Sequence, residues 1–123
     1  MKAYEIIQFL EYKYPLIFQS KNDNSGLQIG SLEKDVKRAA VAYEKTLDVI
    51  SQCVKNKCDM LITHRPLFMH KRFGPPPRMW WNLFKETIND NDMVIYSLHE
   101  NLDLGINNTA LCLSKKLNLT PVE

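Results

Sequence analysis

The sequence contains few cysteines, no long apolar run and almost no excess charge of either sign. Its three cysteines, Cys53, Cys58 and Cys112, lack the paired short spacing of a thiolate metal site or a disulfide framework and fit reduced thiols of a cytosolic protein. The net charge of +2 does not by itself indicate a nucleic-acid or membrane partner. Because no stretch has the length of a membrane span or the apolar core of a signal peptide, we expect a cytoplasmic protein.

The composition is that of an ordinary globular domain. Hydrophobic residues make up 45% of the 123 residues and charged residues 24%, which argues against disorder and fibrous repeats. A chain of this length is too short for two well-buried cores. We therefore expect residues 1–123 to form a single domain.

The first part of the chain predicts a helix followed by a loop. Apolar residues recur at helical spacing over residues 3–14, and Pro15 blocks continuation of the helix. The polar run at residues 20–26 indicates a loop that could form one wall of a site. Residues 27–29 then indicate a short extended piece.

The rest of the chain alternates between strand and helix patterns. Strands are predicted at residues 39–43, at residues 60–63 and at residues 93–98, where apolar runs are too short for typical helices. Helices are predicted from Thr46 to about residue 56, from residue 78 to about residue 88, and after a cap at Asn107 or Asn108. The proline-rich residues 69–77 indicate a stiff, exposed excursion, in which His70 is solvated. One of Trp80 and Trp81 should pack inward.

This alternation predicts an α/β fold with a mainly parallel sheet and helices on both faces. In such sheets ligands bind beyond the carboxyl ends of the strands, where the chain places Glu44, His64 with Arg65, and the segment from His99 to Asp103. We expect the side chains of His64 and Asp103 to lie within reach of each other. Imidazole and carboxylate groups that converge in this way suit a divalent metal such as zinc, manganese or iron. A lone histidine after a strand is more often a packing residue, so the hypothesis rests on the grouping.

Four segments resemble the NIF-three-like family, which is also called GTP cyclohydrolase one type two and includes the YbgI-like bacterial proteins. Residues 23–30 look like its D-N-x-G-L-Q-x-G loop, and residues 41–46 are similar to its A-L-D-x-T segment. Residues 63–68 resemble its S-H-H-P segment, and residues 99–103 its H-T-N-L-D segment, which glycines and an asparagine follow here as Gly105, Asn107 and Asn108. Order and spacing agree over nearly the whole chain, so the resemblance implies one lobe of the NIF-three-like fold.

The resemblance implies a dinuclear metal site in which Asp103 bridges the ions, His64 is a ligand and His99 lies beside the site. Two bridged cations can polarise a substrate oxygen and generate hydroxide. The implied activity is metal-dependent hydrolysis of a nucleotide or phosphate ester, in the manner of a GTP cyclohydrolase. In this scheme the candidate residues fall into three groups: metal ligands His64 and Asp103, catalytic residues His99 and Glu44, and substrate-binding residues Arg65, Asn24 and Asn101.

The chain departs from the family pattern in two ways. Arg65 stands where the family has its second histidine, and a guanidinium offers no lone pair to a metal. Family members also have a second lobe that supplies a further histidine and glutamate, whereas this chain matches the first lobe. We therefore expect at most one metal per chain, at partial occupancy. Arg65 could instead pair with Asp103 or bind a substrate phosphate.

Three interpretations of function remain open from the sequence. The chain is a metal-dependent hydrolase, a non-catalytic degenerate member that acts as an oligomeric scaffold, or a ring-shaped assembly that holds nucleic acid. Because family members resemble rings and a single lobe leaves much apolar surface to cover, we expect the protein to self-associate.

Overall fold

The structure is a computed structural model that describes residues 1–67, 78–105 and 108–120, without the side chains of Met79 and Trp80. Three predictions lie outside the described residues: the excursion at residues 69–77 with His70, the alternative helix cap Asn107, and the placement of the Trp80 side chain. Trp81 is partly buried against the core. No described helix has the length and apolar character needed to cross a membrane.

In the described part of the chain, four short strands form one mainly parallel sheet, as the sequence predicts. They are β1 (Gly26–Ile29), β2 (Ala39–Ala42), β3 (Met60–Thr63) and β4 (Val94–Ser97), in the order β1-β4-β3-β2. The neighbours β2, β3 and β4 are parallel, whereas β1 pairs with β4 in the antiparallel direction. The carboxyl ends of the three parallel strands therefore lie at one edge of the sheet.

The helices begin close to where the sequence places them. They are α1 (Ala3–Lys13), α2 (Leu47–Lys55), α3 (Arg78–Asp90), the short α4 (Glu100–Asp103) and α5 (Thr109–Lys116), with a 3-10 turn at Leu16–Phe18. The Thr46 hydroxyl oxygen accepts the backbone N–H of Val49, and the Asn108 side chain caps α5 in the same way. Helix α4 was not predicted, because a helix of one turn is too short to show an apolar periodicity in the sequence.

Helices cover both faces of the sheet, which confirms the predicted layers. On one face α2 and α3 bury a cluster with the sheet, including Ile50, Phe84 and Ile95. On the other face α1 buries a second cluster, including Ile7 and Tyr96. Burial of each large side chain contributes about 1.5–3 kcal/mol, so these two layers fix the sheet on which the site is built.

Hydroxyl groups at the ends of β3 and β4 direct the chain out of the sheet. Thr63 and Ser97 are register partners, and both are buried. The Thr63 hydroxyl donates to the Arg65 carbonyl at 2.9 Å, and the Ser97 hydroxyl donates to the His64 carbonyl at 3.0 Å. These bonds satisfy two carbonyl groups that have left the ladder and thereby hold His64 at the sheet edge.

Gly30 closes β1 at a point where no side chain fits. Its φ is +102°, and a Cβ atom there would lie 2.7 Å from Val94 Cα and 2.8 Å from the Met93 carbonyl oxygen. Gly26 has a similar φ of +113°, but its Cβ would meet nothing nearer than a Leu16 methyl at 3.7 Å. The two glycines therefore share the conformational strain of a substitution and differ in the backbone clash.

We predict that Gly30→Ala lowers the free energy of unfolding by at least about 1 kcal/mol more than Gly26→Ala, because only the first overpacks the sheet. Urea unfolding of both variants and the wild type measures this difference. If both variants lose the same free energy of unfolding, the backbone between β1 and β4 shifts to accommodate the added methyl group, and the prediction is wrong.

Candidate metal centre

His64 and Asp103 lie side by side at the carboxyl edge of the sheet, as the sequence predicts. His64 directly follows β3, and Asp103 is the last residue of α4, which begins soon after β4. The distance from His64 Nε2 to Asp103 Oδ2 is 3.3 Å. Both side chains are partly buried, so they are shielded from water but still reachable by a small ligand.

Both ring nitrogens of His64 face oxygen atoms. Nδ1 lies 2.8 Å from the Leu98 carbonyl oxygen, which can only accept a hydrogen bond. Nε2 faces the Asp103 carboxylate, which also accepts when it is ionised. A neutral imidazole carries one proton, so one of its nitrogens would face an oxygen lone pair with nothing between them. When the proton of the neutral ring lies on Nδ1, the Nε2 lone pair faces the Asp103 carboxylate, and a cation that binds both atoms fits this arrangement.

Asp103 is oriented by the start of the last helix. Its Oδ1 accepts a hydrogen bond of 2.9 Å from the Thr109 hydroxyl, which leaves Oδ2 directed at His64. The pair borders an open pocket of about 620 Å³. The pocket is lined by residues from the ends of β2 and β3, the turn after β4, and α4 and α5: Val41, Ala42, Tyr43, Ile62, Thr63, His64, Leu98, Leu102, Asp103 and Thr109.

The donor pair fits one divalent ion. Zinc binds imidazole nitrogen and carboxylate oxygen at about 2.0–2.2 Å, so two ligands in a tetrahedral site are about 3.4 Å apart. The observed separation of His64 Nε2 and Asp103 Oδ2 is 3.3 Å. The contact from Nδ1 to a backbone carbonyl is the outer contact that metal-binding histidines usually make, and it leaves the Nε2 lone pair available.

His99 lies beside this pair and is held by Asp23. The rings of His64 and His99 are 5.1 Å apart. His99 Nδ1 is 2.7 Å from Asp23 Oδ1, in the loop before β1, and the Asp23 side chain is only 3% exposed. The same carboxylate accepts from the Ser25 hydroxyl and from the Glu100 backbone N–H. Burial alone would raise the pKa of Asp23, but the bonds from Ser25 and His99 hold it below its ordinary value.

Asp23 and its partners could also offer ligand atoms to a metal. Among the described residues, Asp23, His99 and Glu100 each have one such atom within 4.8 Å of the others. The hydrogen bonds already account for this group, because Glu100 Oε2 accepts from the Ser20 backbone N–H at 2.7 Å and so also holds the loop. We interpret these residues as the anchor of the loop on the start of α4. The motif at residues 23–30 contains Asp23, but the sequence did not predict its contact with His99.

Arg65 is paired with Glu44. Its Nε lies 3.1 Å from Glu44 Oε1, and its guanidinium carbon is 5.7 Å from the centre of the Tyr43 ring. Tyr43 stacks in turn on His64, with 5.1 Å between ring centres. The sequence predicted Glu44 at this edge, but it did not predict the pairing with Arg65, for which Asp103 was a candidate partner. Tyr43 is a further site residue that the sequence patterns did not single out.

The two asparagines predicted to bind substrate have structural contacts. Asn24 is exposed, and its backbone carbonyl accepts from the Gln28 side chain at 2.7 Å. Asn101 is buried, with its amide oxygen accepting from the His99 N–H and its amide nitrogen donating to the Tyr14 carbonyl. These bonds position α4, and substrate contacts of Asn24 and Asn101 stay predictions.

We predict that Asp23→Ala lowers the free energy of unfolding by about 2 kcal/mol, because hydrogen bonds to a charged group are lost in a buried place. The control is Asp35→Ala, which removes an exposed ion pair with Lys2 and should cost less than about 1 kcal/mol. Since the folded-state pKa of Asp23 is lowered from 3.8, its contribution is complete above that pH and is lost as the pH falls through the lowered value. Urea unfolding at pH 7 and pH 3 measures both; a cost for Asp23→Ala no larger than the control would contradict the anchor.

Comparison with known proteins gives relatives along nearly the entire chain. It is 35% identical over 122 residues to a protein of Methanocaldococcus jannaschii named GTP cyclohydrolase 1 type 2 homolog, covering 97% of this chain and 48% of that protein. It is 30% identical over 118 residues to a protein of the same name from Clostridium acetobutylicum, covering 90% of this chain and 42% of that protein. The chain spans less than half the length of these two relatives.

Solved structures show the same fold. Reduced HcgD from Methanocaldococcus jannaschii superposes with a TM-score of 0.89 at 33% identity, over 100% of this chain and 49% of that one. A Bacillus cereus protein related to NIF3 gives a TM-score of 0.86 at 28% identity, over 100% of this chain and 34% of that one. The family model Duf34/NIF3 (NGG1p interacting factor 3) matches residues 1–123, so the chain belongs to the Duf34/NIF3 family.

Proposed function

We propose that this protein binds one divalent metal ion through His64 Nε2 and Asp103 Oδ2. The observation that carries the proposal is the placement of the His64 ring between two oxygen acceptors, 2.8 Å and 3.3 Å from its nitrogens. A metal ion between Nε2 and the carboxylate removes the repulsion of facing lone pairs. Imidazole with carboxylate suits zinc, manganese or iron, and the remaining coordination positions are open to water, substrate or a further protein group.

We propose further that the bound metal serves hydrolysis of a nucleotide or phosphate ester. The relatives named GTP cyclohydrolase 1 type 2 homolog support this reaction class. When bound, a divalent ion would polarise a substrate oxygen and lower the pKa of a bound water. We assign the exchange of a proton to His99, because its ring is 5.1 Å from that of His64 and its Nδ1 faces Asp23.

A non-catalytic oligomeric scaffold is the second candidate. It is favoured by apolar side chains that α1 and the following turn expose, among them Phe9, Tyr12 and Ile17. Covering them by a second copy would bury surface that a monomer leaves in water. Binding of nucleic acid stays a prediction, and it requires an affinity that falls steeply with salt.

Metal stoichiometry tests the proposal. We predict at most one zinc ion per wild-type chain, at partial occupancy, by native mass spectrometry. Binding should be at least about 100-fold weaker for His64→Ala and for Asp103→Asn, which each remove a direct ligand. Asp35→Asn is the control, because it neutralises an exposed carboxylate elsewhere. If His64→Ala binds zinc as tightly as the wild type does, the metal lies elsewhere.

The departure at Arg65 gives a second arm to this experiment. Arg65→His supplies an imidazole where the resemblance implies the second histidine, and it removes a fixed positive charge that opposes another cation. We expect the number of bound zinc ions to rise in this variant. Tight binding of two ions by the wild type would show that Arg65 does not limit the site.

A further inference from the structure

Lys45 is a largely buried lysine that the metal proposal does not use. It lies between Glu44 and Thr46, the cap of α2, and its side chain is only 12% exposed. Lysine is rarely buried to this degree without a partner. Burial lowers the pKa of Lys45, with the Glu44 charge opposing and the Arg65 charge adding to this shift. An ammonium group is strongly hydrated in water, so its burial at the carboxyl end of β2 indicates a binding role for Lys45.

One carboxylate serves two cations in this place. Glu44 Oε2 lies 3.9 Å from Lys45 Nζ, and Glu44 Oε1 lies 3.1 Å from Arg65 Nε. The three side chains together carry a net charge of +1. Glu44 itself is 43% exposed, and it can therefore turn into water without losing a buried position.

Arg65, one of the two cations, lies close to the proposed metal pair. A row of contacts runs from Asp103 to His64, from His64 to the Tyr43 ring and from Tyr43 to Arg65, with distances of 3.3, 5.1 and 5.7 Å. Tyr43 also lines the pocket that His64 and Asp103 border. A molecule with an anionic group at Arg65 would extend along this exposed ring towards His64.

We propose that Lys45 and Arg65 form a subsite for the phosphate group of a small-molecule substrate, and that Glu44 occupies this subsite until the phosphate displaces it. The location of the subsite rests on the proposed function, whereas the anion binding itself does not. A phosphate monoester carries close to two negative charges at neutral pH and so matches two cations better than a single carboxylate does. The Arg65 guanidinium can bind two phosphate oxygens, and Lys45 adds a point charge. Glu44 then acts as a competitor for the subsite, which differs from the catalytic role predicted for it.

Calorimetric titration with inorganic phosphate, in the presence of a chelator, tests the subsite without metal. We expect Lys45→Gln and Arg65→Gln each to weaken phosphate binding by at least about 10-fold, the effect of losing one charged contact. Glu44→Gln should tighten it by about as much, because the internal competitor loses its charge. Lys34→Gln is the matched control: Lys34 is 19% exposed and 2.8 Å from Asp92, at the opposite end of the sheet, so its loss should change nothing.

Further variants separate this subsite from folding and from the metal site. Lys45→Arg keeps the charge and should retain phosphate binding even if Lys45→Gln is poorly folded. His64→Ala should also retain it, so failure of the metal proposal leaves this result intact. Adenosine monophosphate should compete with inorganic phosphate, whereas adenosine should not.

Three results would overturn the subsite. The first is no phosphate binding by either the wild type or Glu44→Gln. The second is weaker binding in Glu44→Gln, which would make Glu44 a support for the cations and not a competitor. The third is binding that needs metal and disappears in His64→Ala, since the phosphate would then be a metal ligand.

Discussion

The site depends on the position of one imidazole ring between two oxygen atoms. The parallel pairing of β3 and β4 brings the Leu98 carbonyl to one nitrogen of His64, and α4 brings the Asp103 carboxylate to the other. One proton satisfies only one of these contacts, and the other then leaves a nitrogen lone pair that faces an oxygen acceptor. Two parallel strands and one helical turn thus bring together the two side chains that we propose as metal ligands.

The position of Asp103 is in turn maintained by residues far away in sequence. Helix α4 has a single turn and cannot be stable alone. It is fixed because Asp23 binds the His99 ring and the Glu100 N–H, and because Asn101 donates to the Tyr14 carbonyl. The loop before β1 therefore acts as a support for the metal pair, although it supplies neither of the proposed ligands. Tyr43 lies between His64 and Arg65, so its ring connects the proposed metal ligands with the proposed anion subsite.

Local patterns predicted the features that local physics decides. Apolar periodicity, Pro15 and the cap at Thr46 located the helices and parallel strands, and the rule for strand ends correctly predicted that His64 and Asp103 lie together. The antiparallel direction of β1 was not predictable, because a strand of four residues without a crossover helix carries no signal of direction. The pairings of Asp23 with His99 and of Arg65 with Glu44 also escaped, since they depend on side-chain directions set by packing between distant segments.

The state of the His64 ring is the most direct test of the account. Nitrogen-15 NMR of labelled imidazole rings distinguishes a protonated, a bare and a metal-bound nitrogen at each position. The account predicts that His64 keeps its proton on Nδ1 and that zinc shifts the Nε2 resonance of this ring alone, with Asp103→Asn weakening the response. A His64 ring that binds zinc through Nδ1, or whose Nε2 resonance does not change when zinc is added, would contradict it.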